Sequence, residues 1–315
     1  MELYKNVFQI SSLYGGRYLF QYLFAGKRLV LLDSGIADTP HSAILPFIGG
    51  LGIDAARLSM LITTHPDTDH QGGNAAIRKA APNALVACGE SDRRLVQDPA
   101  NLYAERYNYL KNEHGLAVAD EPSPDAGSYC RIDIGLRGGE KISLDDNWVV
   151  DILHVPGHSH GHLALYDRDQ KAIFLGDAVH GRGCPGSSGT MALPVTYFYI
   201  DLYLSTLSHL EKLELESLHS GHWPSMYGDD IRDFLSGSRQ TVEILERRFL
   251  HALEKSRAGL TLRELIKEAC EEFPDWPPET RDLAMFACKG HMDRLEELGK
   301  IRLLRETIPQ RWQIG

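Results

Sequence analysis

No run of apolar residues in this 315-residue chain approaches the length that spans a bilayer as a helix, about 20 residues, so a helical membrane protein is excluded. The amino terminus, Met1-Glu2-Leu3-Tyr4-Lys5-Asn6-Val7-Phe8, lacks a basic stretch leading into a long apolar one. No secretory signal is read there, and the cytoplasm is the expected compartment. Cysteine is scarce: Cys88, Cys130, Cys184, Cys270 and Cys288 show neither zinc-knuckle nor redox spacing, and buried free thiols are expected. Positive charge is in deficit, 33 Lys and Arg against 43 Asp and Glu, for a net charge of -10. That balance disfavours nucleic acid and anionic membrane surfaces as partners. Repeats and low-complexity segments are absent too. What is present, 43% hydrophobic and 24% charged residues, is the composition of an ordinary globular protein with room for one large core and a small appendage.

Strand-like runs cover Asn6 to Ile10, Arg17 to Phe24 and Arg28 to Asp33, separated by Gly15-Gly16 and Gly26-Lys27, which suggests an antiparallel meander. Helical spacing from about Pro40 to Gly50 precedes the apolar run Ser59-Met60-Leu61-Ile62, and a further strand is expected over Ala84 to Cys88. Residues 90 to 128 read as an insert built on one long amphipathic helix, with Leu102, Tyr103, Tyr107, Leu110 and His114 near one face. Such a stripe suits a lid, a homodimer surface or plain core packing. Strands resume over Asn147 to Val155, Leu163 to Tyr166, Ala172 to Leu175 and Ser217 to His219, and a long helix is expected from Asp229 to about Lys255. Two units are expected, 1-256 and 257-315. The second reads as two helices, Thr261 to Phe273 and Glu279 to Leu298, then two strands, a winged-helix-like order. Its acidic and basic residues are balanced, so packing or dimerisation is expected of it rather than DNA binding.

The chemistry gathers at strand ends. Thr63-Thr64-His65-Pro66-Asp67-Thr68-Asp69-His70 packs four ligand-type side chains into six residues directly after an apolar strand. A polar turn with a helix cap is the plain reading of that stretch. Three further ligand types in similar settings, His158, Asp177 and His222, argue against it. Histidine and carboxylate together suit zinc, iron or manganese. Seven ligands with three carboxylates suffice for two ions with one carboxylate bridging, whereas one structural zinc needs only four.

In this order, His65 to His70, Pro156-Gly157-His158, Gly176-Asp177 and Gly221-His222 resemble the motifs of the metallo-beta-lactamase superfamily, over approximately residues 1 to 255. The resemblance implies an α+β fold, a four-layer αββα sandwich with the site along one edge of the paired sheets. It also implies that His65, Asp67 and His158 hold a first metal, Asp69, His70 and His222 a second, and that Asp177 bridges. One departure stands out: the family's second histidine is Asp67 here. An extra carboxylate ligand favours iron or manganese relative to zinc, the first expectation. The diiron flavoproteins of the superfamily carry a similar acidic replacement, but no flavin domain is recognisable in this chain.

The activity so implied is hydrolysis by a hydroxide bridging two divalent ions, directed at an ester, thioester, lactone or amide of a small molecule, with Asp69 orienting the nucleophile or passing its proton on. His180, Tyr197 and Tyr199 are candidates for contacts to substrate. His160 and His162 are read as structural. Rival readings are a phosphodiesterase or ribonuclease of the same superfamily, diiron redox or oxygenase chemistry, and a non-catalytic metal-binding regulator.

Overall fold

A computed structural model describes residues 1-119 and 121-315. Asp120, inside the expected insert, lies outside the described residues. Seven strands form the first sheet, in chain order: β1 (Glu2–Tyr4), β2 (Val7–Tyr14), β3 (Arg17–Ala25), β4 (Leu29–Leu32), β5 (Leu58–Thr63), β6 (Leu85–Gly89) and β7 (Ile134–Leu136). β1 to β4 are antiparallel, and β4 to β7 run parallel. The second sheet begins with β8 (Lys141–Asp145), β9 (Trp148–His154), β10 (Leu163–Asp167) and β11 (Ala172–Phe174). After a small hairpin, β12 (Cys184–Pro185) with β13 (Met191–Leu193), it is completed by β14 (Ser217–His219), parallel to β11, and the edge strand β15 (Met226–Tyr227).

Side chains alternate between the two faces of a strand, and both sheets bury both faces. On β3 and β4, Tyr22, Phe24, Val30 and Leu32 point between the sheets, while Leu23, Leu29 and Leu31 point to an outer layer with Ile44, Ile48 and Ile77. On the second sheet, Leu163, Leu165 and Phe174 face inward, and Ala164, Tyr166 and Ile173 face the helices on the other side. The result is helix, sheet, sheet, helix: the expected α+β four-layer sandwich. All five cysteines are buried and unpaired.

Two findings differ from expectation. The insert is not one long helix. It is a chain of short turns, Arg93–Gln97, Pro99–Leu102, Tyr103–Tyr107 and Lys111–His114. Asp98 is extended and its side chain accepts a hydrogen bond from the Ala100 amide, which with Pro99 behind it restarts the helix. Gly115, in the left-handed region at φ 68°, ends the last turn. The apolar spacing continues across these breaks, which is why the sequence reads as a single helix. β7 and β8 were also not expected, being short and largely half-exposed.

Residues 257–315 fold into the expected order of two helices, Leu262–Glu272 and Met285–Glu297, and two strands, β17 (Ile301–Leu304) and β18 (Arg311–Ile314), with the second helix starting at Met285 after a separate turn, Arg281–Ala284, and not at Glu279. The short β16 (Leu260–Thr261) adds a third strand to the sheet. A capping box between Thr261 and Glu264 starts the first helix. This unit continues the outer helical layer: Trp276, Met285, Phe286 and Trp312 share one apolar cluster with Phe249 and Leu253 of the helix Asp229–Lys255 and with Tyr203 and Leu207 of the helix Ile200–Leu210.

Candidate metal centre

Asp33, His65, Asp177 and His222 follow the carboxyl ends of β4, β5, β11 and β14 within three residues, and His158 follows β9 within four, so both sheets deliver side chains to one edge. Asp69 and His70 lie in the short helix Thr68–Gln71. Asp67 stands at its N-cap with extended backbone but makes no capping hydrogen bond, its carboxylate turned away into the site. The plain capping reading of this stretch therefore does not describe it.

The structure brings all seven expected ligands together. Three groups, His65 with Asp67 and His158, His65 with His70 and Asp177, and Asp69 with His70 and His222, each place one ligand atom per residue within 4.8 Å of the others. The hydrogen bonds set which nitrogen of each histidine is free. His70 Nδ1 lies 2.8 Å from the Asp33 carboxylate, His158 Nδ1 3.1 Å from the Thr196 carbonyl, and His222 Nδ1 2.8 Å from the Tyr18 carbonyl. Thr64 Oγ1 donates to Asp33, so it accepts from His65 Nδ1 at 3.0 Å. Facing an acceptor in each case, every Nδ1 carries a hydrogen, so in the neutral ring it is Nε2 that presents a lone pair to the centre.

Those lone pairs meet oxygen lone pairs. His158 Nε2 lies 2.8 Å from Asp67 Oδ2 and His222 Nε2 3.1 Å from Asp177 Oδ2, contacts that repel unless a proton or a metal cation lies between. His65 Nε2, His70 Nε2 and Asp177 Oδ1 are buried with no hydrogen-bond partner among the described residues. Orphaned acceptors of this kind are costly in a protein interior and are what a divalent ion satisfies. Gly221 completes the fit: a Cβ there would stand 2.5 Å from Asp177 Oδ1 and 2.6 Å from His70 Cε1, so only glycine lets the two ligands approach. The residues present therefore fit divalent metal.

The electrostatics agree. Burial acts to lower the pKa of His70, but Asp177 and Asp33 more than reverse it, raising it to about 10, so the pocket draws positive charge. Burial acts to raise Asp177 and Asp69, yet His222 and His70 hold the first well below the usual carboxylate range and Arg17 with His70 lowers the second. Burial, with His70, His162 and His158, keeps the His65 imidazole neutral.

Of the expected substrate contacts, His180 comes to the site: its ring centre is 4.9 Å from that of His158, and burial lowers its pKa to about 3. Tyr197 does not. It is fully buried in the outer core with its hydroxyl 3.2 Å from His291 Nε2. Tyr199 stacks on His160 and lines a neighbouring cavity. His162 stacks flat on His65 and bonds to the Leu175 carbonyl.

Three residues at the site went unnoticed in the sequence. Asp33 braces His70 and receives both the amide and the hydroxyl of Thr64. Arg17, buried on β3, reaches Asp69 Oδ2 at 2.6 Å, and Arg106, buried in the insert, grips Asp67. Asp33 had a faint signal, a carboxylate closing an apolar strand. The arginines had none.

Ligands from both sheets make an ion here a cross-tie between them, so chelation is expected to lower the unfolding temperature by several degrees. Saturation at about 1,000 times the dissociation constant stabilises by roughly 4 kcal/mol. Identical thermal unfolding with and without chelator would contradict a bound ion.

A cavity of about 400 Å³ opens over this centre. Asp67, Asp69, Asp177 and His222 form its floor. Its walls come from the insert (Tyr103, Tyr107), the β2–β3 hairpin (Tyr14, Gly15), the segment after β12 (Leu193, Thr196) and the carboxy-terminal unit (Leu283, Phe286).

Comparisons with known proteins agree with this geometry. The human acyl-coenzyme A thioesterase MBLAC2 is 27% identical over 227 residues, 67% of this chain and 72% of that protein. The hydroxyacylglutathione hydrolase of Hyphomonas neptunium is 26% identical over 147 residues, 47% of this chain and under half, 43%, of that protein. A crystal structure of a metallo-beta-lactamase family protein from Thermus thermophilus superposes with a TM-score of 0.77 at 20% identity, covering 98% of this chain and 99% of that one, which shows a shared fold. The sequence model of the metallo-beta-lactamase superfamily matches residues 15–222, spanning every ligand from His65 to His222. With two thirds of its length under that model and the motif residues gathered at one sheet edge, the chain belongs to the metallo-beta-lactamase superfamily and is a hydrolase of that family.

Proposed function

We propose that this protein hydrolyses thioesters, releasing an acyl group from a thiol-bearing carrier of the coenzyme A or glutathione kind. The observation that supports it most is the pairing of an apolar-walled cavity with a floor of ionised carboxylates that hold no proton to donate. Asp67, Asp69 and Asp177 are all held below the usual carboxylate range, by Arg106 with His158, by Arg17 with His70, and by His222 with His70, each against the upward push of burial. Such a floor is a poor general acid. An amine or alkoxide must be protonated as it leaves, whereas a thiol, with a pKa near 8.5, departs as the thiolate. The names of the relatives, an acyl-coenzyme A thioesterase and a hydroxyacylglutathione hydrolase, point to the same carriers.

Divalent metal in this cradle, zinc by first expectation, would acidify a bound water and polarise the substrate carbonyl. The chain supplies the rest. Asp69, ionised and steadied by Arg17, accepts a hydrogen bond from the attacking water and fixes its direction. Tyr103, Tyr107, Leu283 and Phe286 receive the acyl group and exclude water from it.

The test is a panel of acyl-coenzyme A and acylglutathione thioesters, simple esters, lactones, β-lactams and phosphodiesters, with thiol release followed by colour for the thioesters and substrate loss followed by chromatography for all of them. Thioesters are expected to turn over at least about tenfold more efficiently than oxygen esters, the scale of one modest transition-state difference. Turnover of phosphodiesters alone would refute the proposal. Leu283→Trp, which fills part of the cavity, is expected to shift preference to shorter acyl chains by about tenfold in kcat/KM per lost pocket contact. An unchanged chain-length profile would take Leu283 out of the acyl wall.

A further inference from the structure

Arg106 lies on the turn Tyr103–Tyr107 and sends a buried guanidinium into the first half of the centre. Its Nε donates to Asp67 Oδ1 at 2.7 Å and its Nη2 to Asp67 Oδ2 at 3.2 Å, a two-pronged grip on one carboxylate. Nη1 donates to the His158 carbonyl at 3.0 Å. Nη2 also lies 3.3 Å from His158 Nε2, which has Asp67 Oδ2 nearer at 2.8 Å and belongs to a ring whose other nitrogen is committed to Thr196, so the arginine proton sits beside both groups. Two of the three side chains expected to hold a first metal thus turn their electron pairs to an arginine, and among the described residues His65 alone of that trio has an Nε2 left without a partner.

The other half is different. His70 Nε2 and Asp177 Oδ1 have no hydrogen-bond partner among the described residues, and His222 Nε2 faces carboxylate oxygens, 3.1 Å from Asp177 and 3.5 Å from Asp69. Arg17 reaches this half too, but through one oxygen of Asp69 only. The charges fit the asymmetry. Asp33, Asp67, Asp69 and Asp177 place four carboxylates around the histidines, while Arg17 and Arg106 return two positive charges. One dication closes that balance and a second overshoots it.

Arg106 does not swing aside easily. Phe286 of the carboxy-terminal unit lies 5.5 Å from the centre of its guanidinium, and the neighbouring Tyr107 hydroxyl accepts from the Thr68 amide at 3.0 Å, fixing the turn to the ligand loop. A guanidinium does not surrender its proton in a protein.

We propose that the Arg106 guanidinium takes the place of the first cation. The protein holds one divalent ion tightly, between Asp69, His70, Asp177 and His222, and Asp67 stands where the family has histidine because its partner is an arginine and not a metal. This rests on reading the second half of the centre as a metal site, but not on the identity of the substrate.

Ions per chain decide it. Full-length protein cleared with a chelator is reloaded with Zn²⁺ or Co²⁺, desalted and analysed for bound metal, beside Arg106→Ala and Arg106→Met, whose folding is followed by circular dichroism. Wild type is expected to retain one ion, with a second bound about 100-fold or more weakly because a dication within a few ångströms of a guanidinium is repelled. Either folded variant is expected to retain two. Two tightly held ions in wild type overturn the proposal, and so does a folded variant that still retains one. If both variants unfold, the wild-type count decides alone. Retention of no ion overturns the metal site itself and the proposal with it. One ion retained by wild type and two by a folded variant, in a protein that turns over no thioester, uphold the proposal and refute the substrate assignment.

Discussion

Asp177→Ala is expected to release bound metal and to lower thioester turnover on the order of a thousandfold, the scale of removing an electrostatic element from a reaction centre. The side chain belongs to a residue only 7% exposed, stands 3.5 Å from His70 Nε2 and 3.1 Å from His222 Nε2, and has one oxygen that meets no donor among the described residues. Removing it leaves two histidine lone pairs without the anion that faces the ion with them. Asp177→Asn separates charge from shape: the amide fills the same space beside Gly221 yet carries no negative charge, so it too should lose metal. Metal analysis and steady-state kinetics on the same preparations check both variants. Full retention of ion and rate in Asp177→Ala would remove Asp177 from the centre.

Truncation after Lys255 is expected to abolish cooperative folding rather than to leave a trimmed catalytic unit. Phe273, Trp276, Met285, Leu295 and Trp312, each at most 2% exposed, pack in one cluster with Phe249 and Leu253. Burial of a large apolar side chain contributes roughly 1.5–3 kcal/mol, so losing even these five is comparable with the whole stability of a typical protein, about 5–15 kcal/mol. The polar links point the same way. Trp276 Nε1 donates to the Arg182 carbonyl at 2.7 Å and Thr280 Oγ1 to the Ala192 carbonyl at 2.9 Å, so the tail also holds the segment that walls the cavity. Thermal unfolding and solubility of residues 1–255 test this. A soluble fragment that melts cooperatively near the full-length temperature would show that the tail is dispensable.

How much was legible in the sequence depends on distance along the chain. His65, Asp67, Asp69 and His70 crowd into one loop after an apolar strand, a pattern that local reading detects, and His158, Asp177 and His222 each follow a strand of their own. The fold was legible for the same reason, since strands buried on both faces read as continuous apolar runs. Arg17 and Arg106 escaped because each lies tens of residues from the carboxylate it meets, 52 for Asp69 and 39 for Asp67. An arginine between a glutamate and a tyrosine reads as the wet face of a helix, and only tertiary packing turns it inward. The insert reads as one helix in the sequence because apolar spacing outlasts the break at Asp98-Pro99. Thr261 and Glu264, by contrast, announce the first helix of the tail through their own side chains.

The cavity's floor and its walls have different origins. The floor is set by strand ends locked in the sandwich, whereas the walls join one hairpin of that sandwich, between β2 and β3, to three visitors, an insert, a loop and a tail, that meet only in space. Selectivity is therefore a committee decision: grafting any one of these segments from a relative would change part of the cavity's outline and leave the other two still fitted to the original guest.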